Sequence, residues 1–217
     1  MPEPNSDHKP VVALFDFDGT ITLRDTLPLY IRHATGLTGL LLSILSSLPA
    51  LIILAANGWK SLWGIDAQQT KEGLLRRCFE NKSIEQVSCS ATEFVQVVNQ
   101  VISREVYQRM LHHIALGDSV VIVSASPQVW VEPWAMSVGD IKVIATQLEV
   151  VNGRYTGRFH GKNCNGQEKV TQIARLFPRS QFHIVAYGNS SGDIPMLSYA
   201  HEAYMCSNGL ISPYHAH

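Results

Sequence analysis

Val11-Val12-Ala13-Leu14-Phe15 is an unbroken apolar run that stops at Asp16, and it constrains the fold more than any other stretch of the chain. A strand with one wet face alternates apolar and polar residues, whereas a strand buried on both faces is apolar throughout. Val120-Val121-Ile122-Val123, ending at Ser124, has the same character, as does Phe182-His183-Ile184-Val185-Ala186, ending near Gly188. Each is followed by a helix start. Ser126 and Pro127 read as an N-cap and first-turn pair before Val129 to Met136, and Gly192 to Tyr199 reads as the next helix. Strand-then-helix units repeated after residue 118 predict an α/β fold with a doubly wound parallel sheet.

Roughly a hundred residues separate the first two strands, and their periodicity is helical. Ser83 with Gln86 resembles a capping box that opens a helix through Val87, Phe94 and Val98. The expected organisation is a core built from residues 1–24 and 106–217, with an inserted helical cap at 25–105. A short hairpin is expected where Asn152-Gly153 sits between Val150-Val151 and Arg154-Tyr155.

At 217 residues and 46% apolar, the chain buries a full core and is neither disordered nor a disulfide scaffold. A net charge of −1, with scattered Lys and Arg, leaves no footprint for nucleic acid. Cys78, Cys89, Cys164 and Cys206 form no CxxC pair; a reducing cytoplasm suits them, and core packing is the expected role of each. The polar, Pro-rich Met1–Pro10 lacks a basic region followed by a long apolar one, so no export is inferred and a cytoplasmic location is expected. Residues 34–59 contain no Asp, Glu, Lys, Arg or His. Their length reaches the roughly 20 residues of a bilayer span, yet Pro49 and several Ser and Gly interrupt them. Two readings stay open: buried cap helices broken near Pro49, or contact with the inner face of a membrane.

In open parallel sheets, ligands bind beyond the carboxyl ends of the strands. Here those ends carry Asp16 and Asp18, then Ser124, then Asn189 and Asp193. Two carboxylates at the mouth of a buried strand, beside Gly19 and Thr20, exceed what a turn requires. Four motifs follow in order: Asp16-Phe17-Asp18-Gly19-Thr20, Ser124 after an apolar strand, Lys169 opening a helix, and Gly188-Asn189-Ser190-Ser191-Gly192-Asp193. Over about Val11 to Cys206 the chain thus resembles the haloacid dehalogenase (HAD) superfamily, in its phosphoserine-phosphatase-like branch (subfamily IB), with a Rossmann-like core and a helical cap.

The resemblance implies a Mg²⁺-dependent phosphomonoester hydrolase. Asp16 would attack phosphorus as an already ionised carboxylate, and Asp18 would serve as general acid and then base, a role that favours a raised pKa. Thr20, Ser124, Ala125 and Lys169 would hold the phosphoryl group. Asp16, Asp193 and the Asp18 carbonyl would hold Mg²⁺, an ion that prefers a few oxygen ligands completed by water and phosphate. Asn189 replaces an acidic residue found in many relatives, so its ligation by an uncharged amide is weaker.

Asp25, nine residues past Asp16, is where phosphoserine-selective relatives place an acidic residue for the substrate amine; read locally, it is a helix N-cap. Arg76 and Arg77 are further cap candidates, for a substrate carboxylate; read locally, they are surface arginines. His112 and His113 read as solvated or packed. The expected substrate is a small phosphorylated metabolite such as phosphoserine. The alternatives are a lipid phosphate of the phosphatidylglycerophosphate type, reached through residues 34–59, and a non-catalytic module that binds a partner.

Overall fold

The computed structural model describes residues 9–39, 41 and 67–215. Strand β1 (Val11–Phe15) leads into helix α1, helical over 26–39. Helices α2 (Ala67–Phe79), α3 (Ile84–Asn99) and α4 (Arg104–Leu116) follow, and then strand β2 (Ser119–Pro127). Helix α5 (Gln128–Val138), strand β3 (Lys142–Thr146) and the hairpin strands β4 (Leu148–Val151) and β5 (Arg154–Phe159) come next. The chain closes with α6 (Gln167–Leu176), β6 (His183–Gly188), a 3₁₀ turn at Ser191–Asp193, α7 (Ile194–Tyr199), β7 (Glu202–Ser207) and β8 (Leu210–Pro213).

The central sheet has the order β3-β2-β1-β6-β7-β8. Its first five strands are parallel, and β8 returns antiparallel to β7 at the edge. Strand β1 therefore lies in the middle, and Val12, Ala13, Leu14 and Phe15 are fully buried, as the continuous apolar run requires. Period-two alternation divides it between two cores. Ala13 and Phe15 face one cluster, and Val12 and Leu14 face the other. The chain moves from β1 outward to β2 and β3, then crosses back to β6 on the other side. That reversal beside β1 is the topological switch point at which doubly wound sheets bind ligands.

The helical insertion leaves and rejoins the sheet at one place. Thr22 bridges to Ile102, and the Ser103 amide donates to the Ile21 carbonyl at 2.8 Å. Aromatic rings tie the insertion to α5. Tyr30 stacks on Trp130 (4.6 Å between centroids) and on Phe79 (5.4 Å), and Phe94 meets it edge-on. The Ser83/Gln86 capping box forms at the start of α3. Most of the uncharged run at 34–59 lies outside the described residues. Among the described residues, no helix is long and apolar enough to cross a membrane.

The hairpin turns at Asn152 (φ 51°) and Gly153 (φ 74°), the two positive angles of a type I′ turn. It does not hang free. Tyr155 exchanges backbone bonds with Asn81 and Lys82, and the Phe159 amide donates to Glu72 Oε1 at 3.1 Å. Gly157, at φ 76°, lets β5 approach α2 so closely that a Cβ would sit 2.5 Å from the Arg76 Cα. Gly157→Ala therefore meets both a left-handed backbone and another backbone atom, and it is expected to cost about 2–4 kcal/mol in chemical denaturation.

One local expectation fails. Ser126 and Pro127 extend β2, and α5 starts at Gln128 with no side-chain cap. The Ser126 hydroxyl is instead bonded across the molecule to the Asp18 carboxyl.

Candidate active site

Asp16 is the first residue past β1, and its amide still holds the ladder by donating to the Tyr187 carbonyl at 2.9 Å. Its side chain meets Lys169 Nζ at 2.6 Å. The same nitrogen donates to Asp193 Oδ1 at 2.6 Å and to the Val123 carbonyl at 2.8 Å. Lys169 reaches that position because α6 enters on the Asn165-Gly166 turn, whose Gly166 amide bonds to the Gly192 carbonyl at 3.0 Å. The side chain is 1% exposed. A lysine in a helical first turn opposes the helix dipole, and the two carboxylates supply the expected anionic partners.

One ammonium between two carboxylates leaves a negative charge uncompensated, and the two acids share it unequally. The second oxygen of Asp193 accepts from the Asn189 amide (3.1 Å), the Ser190 amide (3.0 Å) and the Ser190 hydroxyl (2.9 Å). Although burial opposes it, Lys169 and these donors hold Asp193 below the usual carboxylate range. Among the described residues, the Asp16 side chain has only Lys169 as a donor. Burial, with Asp193 adding to it, lifts its pKa to about 7 despite Lys169. The ammonium of Lys169 is held on more firmly than usual by both acids, against its burial.

Asp18 is gripped by different donors. Thr26 contributes its amide and its hydroxyl, each at 2.7 Å to Oδ1, and Ser126 Oγ donates to Oδ2 at 2.5 Å. Trp130 Nε1 donates to Thr26 Oγ1 at 3.0 Å and so fixes that hydroxyl's direction. Asp18 titrates above the normal range, first through burial and then through the charge of Asp25. The neighbouring carboxylate that contributes most is thus Asp25 rather than Asp16. Asp25 itself is an N-cap: its Oδ1 accepts from the Leu27 amide at 2.9 Å.

A family model for haloacid dehalogenase-like hydrolases matches residues 13–198. The chain belongs to the haloacid dehalogenase-like hydrolase family. Protein CicA of Caulobacter vibrioides is 29% identical over 197 residues, covering 90% of this chain and 85% of that protein. A probable phosphatase of Mycobacterium tuberculosis is 33% identical over 104 residues, 46% of this chain and 36% of that protein. Among solved structures, a Bordetella pertussis protein of unknown function superposes with a TM-score of 0.72 at 24% identity, covering 90% of this chain and 89% of that one. A phospho-aspartyl intermediate analogue of phosphoserine phosphatase superposes at 0.60 with 17% identity, covering 91% and 86%. These likenesses extend to the fold.

In this family member Ser124 is buried, and its Oγ accepts from the Ser126 amide at 3.0 Å. The Ala125 carbonyl accepts from Thr146 Oγ1 and from Lys71 Nζ, each at 2.8 Å. The hydroxyl of Thr20 is buried and has no protein partner among the described residues. An orphaned hydroxyl is costly in a native core and fits a site built around a ligand. Asn189 packs over Gly19, where a Cβ would meet its Nδ2 at 2.0 Å. The uncompensated charge and the hard oxygen donors of Asp16 and Asp193 fit a magnesium ion that keeps water and substrate oxygens in its shell. Among the described residues, no three His, Cys, Asp or Glu side chains gather as an all-protein cage.

Other candidates lie elsewhere. Arg76 pairs with Glu80 at 3.2 Å on an exposed helix face, and the Arg77 side chain is outside the described residues. His113 is buried between Asp118 Oδ2 (2.7 Å) and the Tyr187 hydroxyl (3.0 Å), a packed histidine with two partners. All four cysteines are free; Cys78, Cys164 and Cys206 are buried as expected, but Cys89 is exposed on α3 and is not a core residue. Thr26, Ser126, Trp130 and Lys71 escaped the sequence reading. Only Ser126 carried a signal, its place two residues past Ser124, and helix capping explained that position more simply.

Proposed function

We propose that this hydrolase is a Mg²⁺-dependent phosphomonoester phosphatase that passes through a phospho-aspartyl intermediate on Asp16. The observation that carries the reading is the meeting of Asp16, Lys169 and Asp193 around one nitrogen, with Asp18 held two residues beyond Asp16. A carboxylate Oδ of Asp16 attacks phosphorus as the ester P–O bond breaks, and the leaving oxygen takes the proton of Asp18. Asp18, now ionised, accepts a proton from the water that attacks phosphorus. Inorganic phosphate leaves, Asp16 is regenerated and Asp18 is again protonated.

The raised pKa of Asp18 supports the acid role, because an acid must hold its proton at working pH. Magnesium, held by Asp16, Asp193 and the Asp18 carbonyl, with Asn189 at most a neutral ligand, would neutralise charge on Asp16 and the phosphoryl oxygens. Ser124, Thr20 and the Ala125 amide are the hydrogen-bonding groups for those oxygens. The insertion at 25–105 acts as a cap over a core formed by residues 1–24 and 106–217.

Phosphatases among the relatives, including a phosphoserine phosphatase and a histidinol-phosphatase, favour a small phosphorylated metabolite as substrate. Release of inorganic phosphate from a panel of metabolite and lipid phosphates, with and without Mg²⁺, tests the reading. Turnover of no monoester would overturn it.

Mg²⁺ binding has its own signature. The metal needs Asp16 ionised, and that carboxyl takes a proton at about 7 in the folded chain without metal. Protons therefore compete with Mg²⁺ below that pH. The rise in melting temperature at a fixed Mg²⁺ concentration is expected to be larger at pH 8 than at pH 6, and lost in Asp193→Asn. An equal shift at both pH values would place the metal elsewhere.

A further inference from the structure

Lys169 has no donor to spare. An ammonium carries three N–H groups, and Asp16, Asp193 and the Val123 carbonyl take them at 2.6, 2.6 and 2.8 Å. A second ammonium approaches the same place from the helical insertion. Lys71, in the second turn of α2, donates to the Ala125 carbonyl at 2.8 Å. Ala125 lies between Ser124 and Ser126, and Ser126 holds Asp18. Among the described residues, Lys71 has no other acceptor and no carboxylate partner, so two N–H groups remain open. Burial weakens its hold on the proton, while Asp18, Asp25 and Asp16 act against that weakening, which puts the ammonium within electrostatic reach of the whole acidic pocket. The helix that carries it is fixed by the hairpin through the Phe159–Glu72 bond and the close approach at Gly157.

We propose that Lys71 is a phosphoryl-binding residue, donating its open N–H groups to non-bridging oxygens of the phosphate ester bound at Asp16. This rests on the phosphatase reading above and adds a binding residue to it. A partly buried ammonium held only by a neutral carbonyl gains most from a dianionic acceptor, since charge-assisted hydrogen bonds are shorter and roughly twice as strong. Lys71 is also the point at which the insertion senses an occupied site: its carbonyl contact holds the empty pocket, and the phosphoryl contact holds the filled one.

Lys71→Met keeps much of the stem and removes the charge. Kinetics on p-nitrophenyl phosphate, whose only anion is the phosphoryl group, and on phosphoserine would be read beside calorimetric Kd values for inorganic phosphate on the Mg²⁺-loaded protein. The expected result is a rise of about 10-fold or more in phosphate Kd and in KM. The factor is the same on both esters, the melting temperature is unchanged, and Lys71→Arg recovers part of the loss. An unchanged phosphate Kd overturns the proposal, as does a loss confined to phosphoserine, which assigns Lys71 to the substrate's carboxylate. Parent turnover with an indifferent variant sinks this inference alone. A parent that binds phosphate more tightly than the variant yet hydrolyses nothing sinks the phosphatase reading and leaves the binding role standing.

Discussion

Asp16→Asn is expected to abolish phosphate release from every ester, by at least about 10³-fold, because an amide of the same shape cannot form the acyl phosphate. The substitution should not cost stability. The Asp16 carboxyl is buried and titrates at about 7, against 3.8 for a free side chain. A shift of about three units corresponds to about 4 kcal/mol of preference for the protonated form in the folded chain. The sign follows from proton counting. Between about pH 4 and 7 the unfolded chain has released this proton and the folded chain has kept it, so the group's contribution falls as pH rises through that window and is level above it. Asn has no such dependence. In urea without Mg²⁺, the variant is expected to unfold no earlier than the parent at pH 8, and its advantage should shrink by pH 5. A variant that unfolds earlier at pH 8 would mean that the Asp16–Lys169 bond outweighs the burial of the carboxylate.

Lys169→Met has the opposite profile: both activity and stability fall. It leaves Asp16 and Asp193 buried without their shared cation, and breaking a buried ion pair from one side costs about 3–5 kcal/mol. Both acids raise the proton affinity of Lys169, so the lysine is charged and contributes its stability at every pH below its ordinary value near 10.5. The loss should therefore be complete at pH 8. It should ease toward pH 5, where Asp16 takes up a proton in the folded chain. Lys169→Arg is not a rescue, because a planar fork does not match three acceptors arranged around one nitrogen. Adding Asp16→Asn to Lys169→Met should return part of the stability, giving a non-additive cycle for residues that share one network. Strict additivity in urea would show that the ion trio is not formed.

Much of this architecture was legible before any coordinates. Buried parallel strands announce themselves as apolar runs, so β1, β2 and β6 were identifiable from Val11–Phe15, Val120–Val123 and the run before Gly188. Capping and turn chemistry are equally local, and Ser83 with Gln86 and Asn152 with Gly153 behave as their residue types require. The acidic motif after β1 marked the site because strand ends in such sheets converge. Local reading failed where a side chain had two suitors. Ser126 could cap α5 or bond Asp18, and only the fold brings Asp18 within reach. Of the two partners of His113, Tyr187 is 74 residues away and invisible locally, whereas Asp118, five residues on, lay within reach of a local reading and was missed.

The sequence by itself determined three central strands, at Val11–Phe15, Val120–Val123 and before Gly188, their parallel pairing, and which aspartates crown the middle one. These follow from periodicity and from residue type at a position, properties that a short window of chain already contains. The tertiary structure alone decided who meets whom. Lys169 joins Asp16 across 153 residues and Asp193 across 24, and Lys71 reaches the Ala125 carbonyl across 54. Desolvation and the charges that meet there then set, in opposition for Lys169 and Asp193, how each of these groups holds its proton. Burial and charge pairing depend on every element that packs around a site, so no window of sequence carries them.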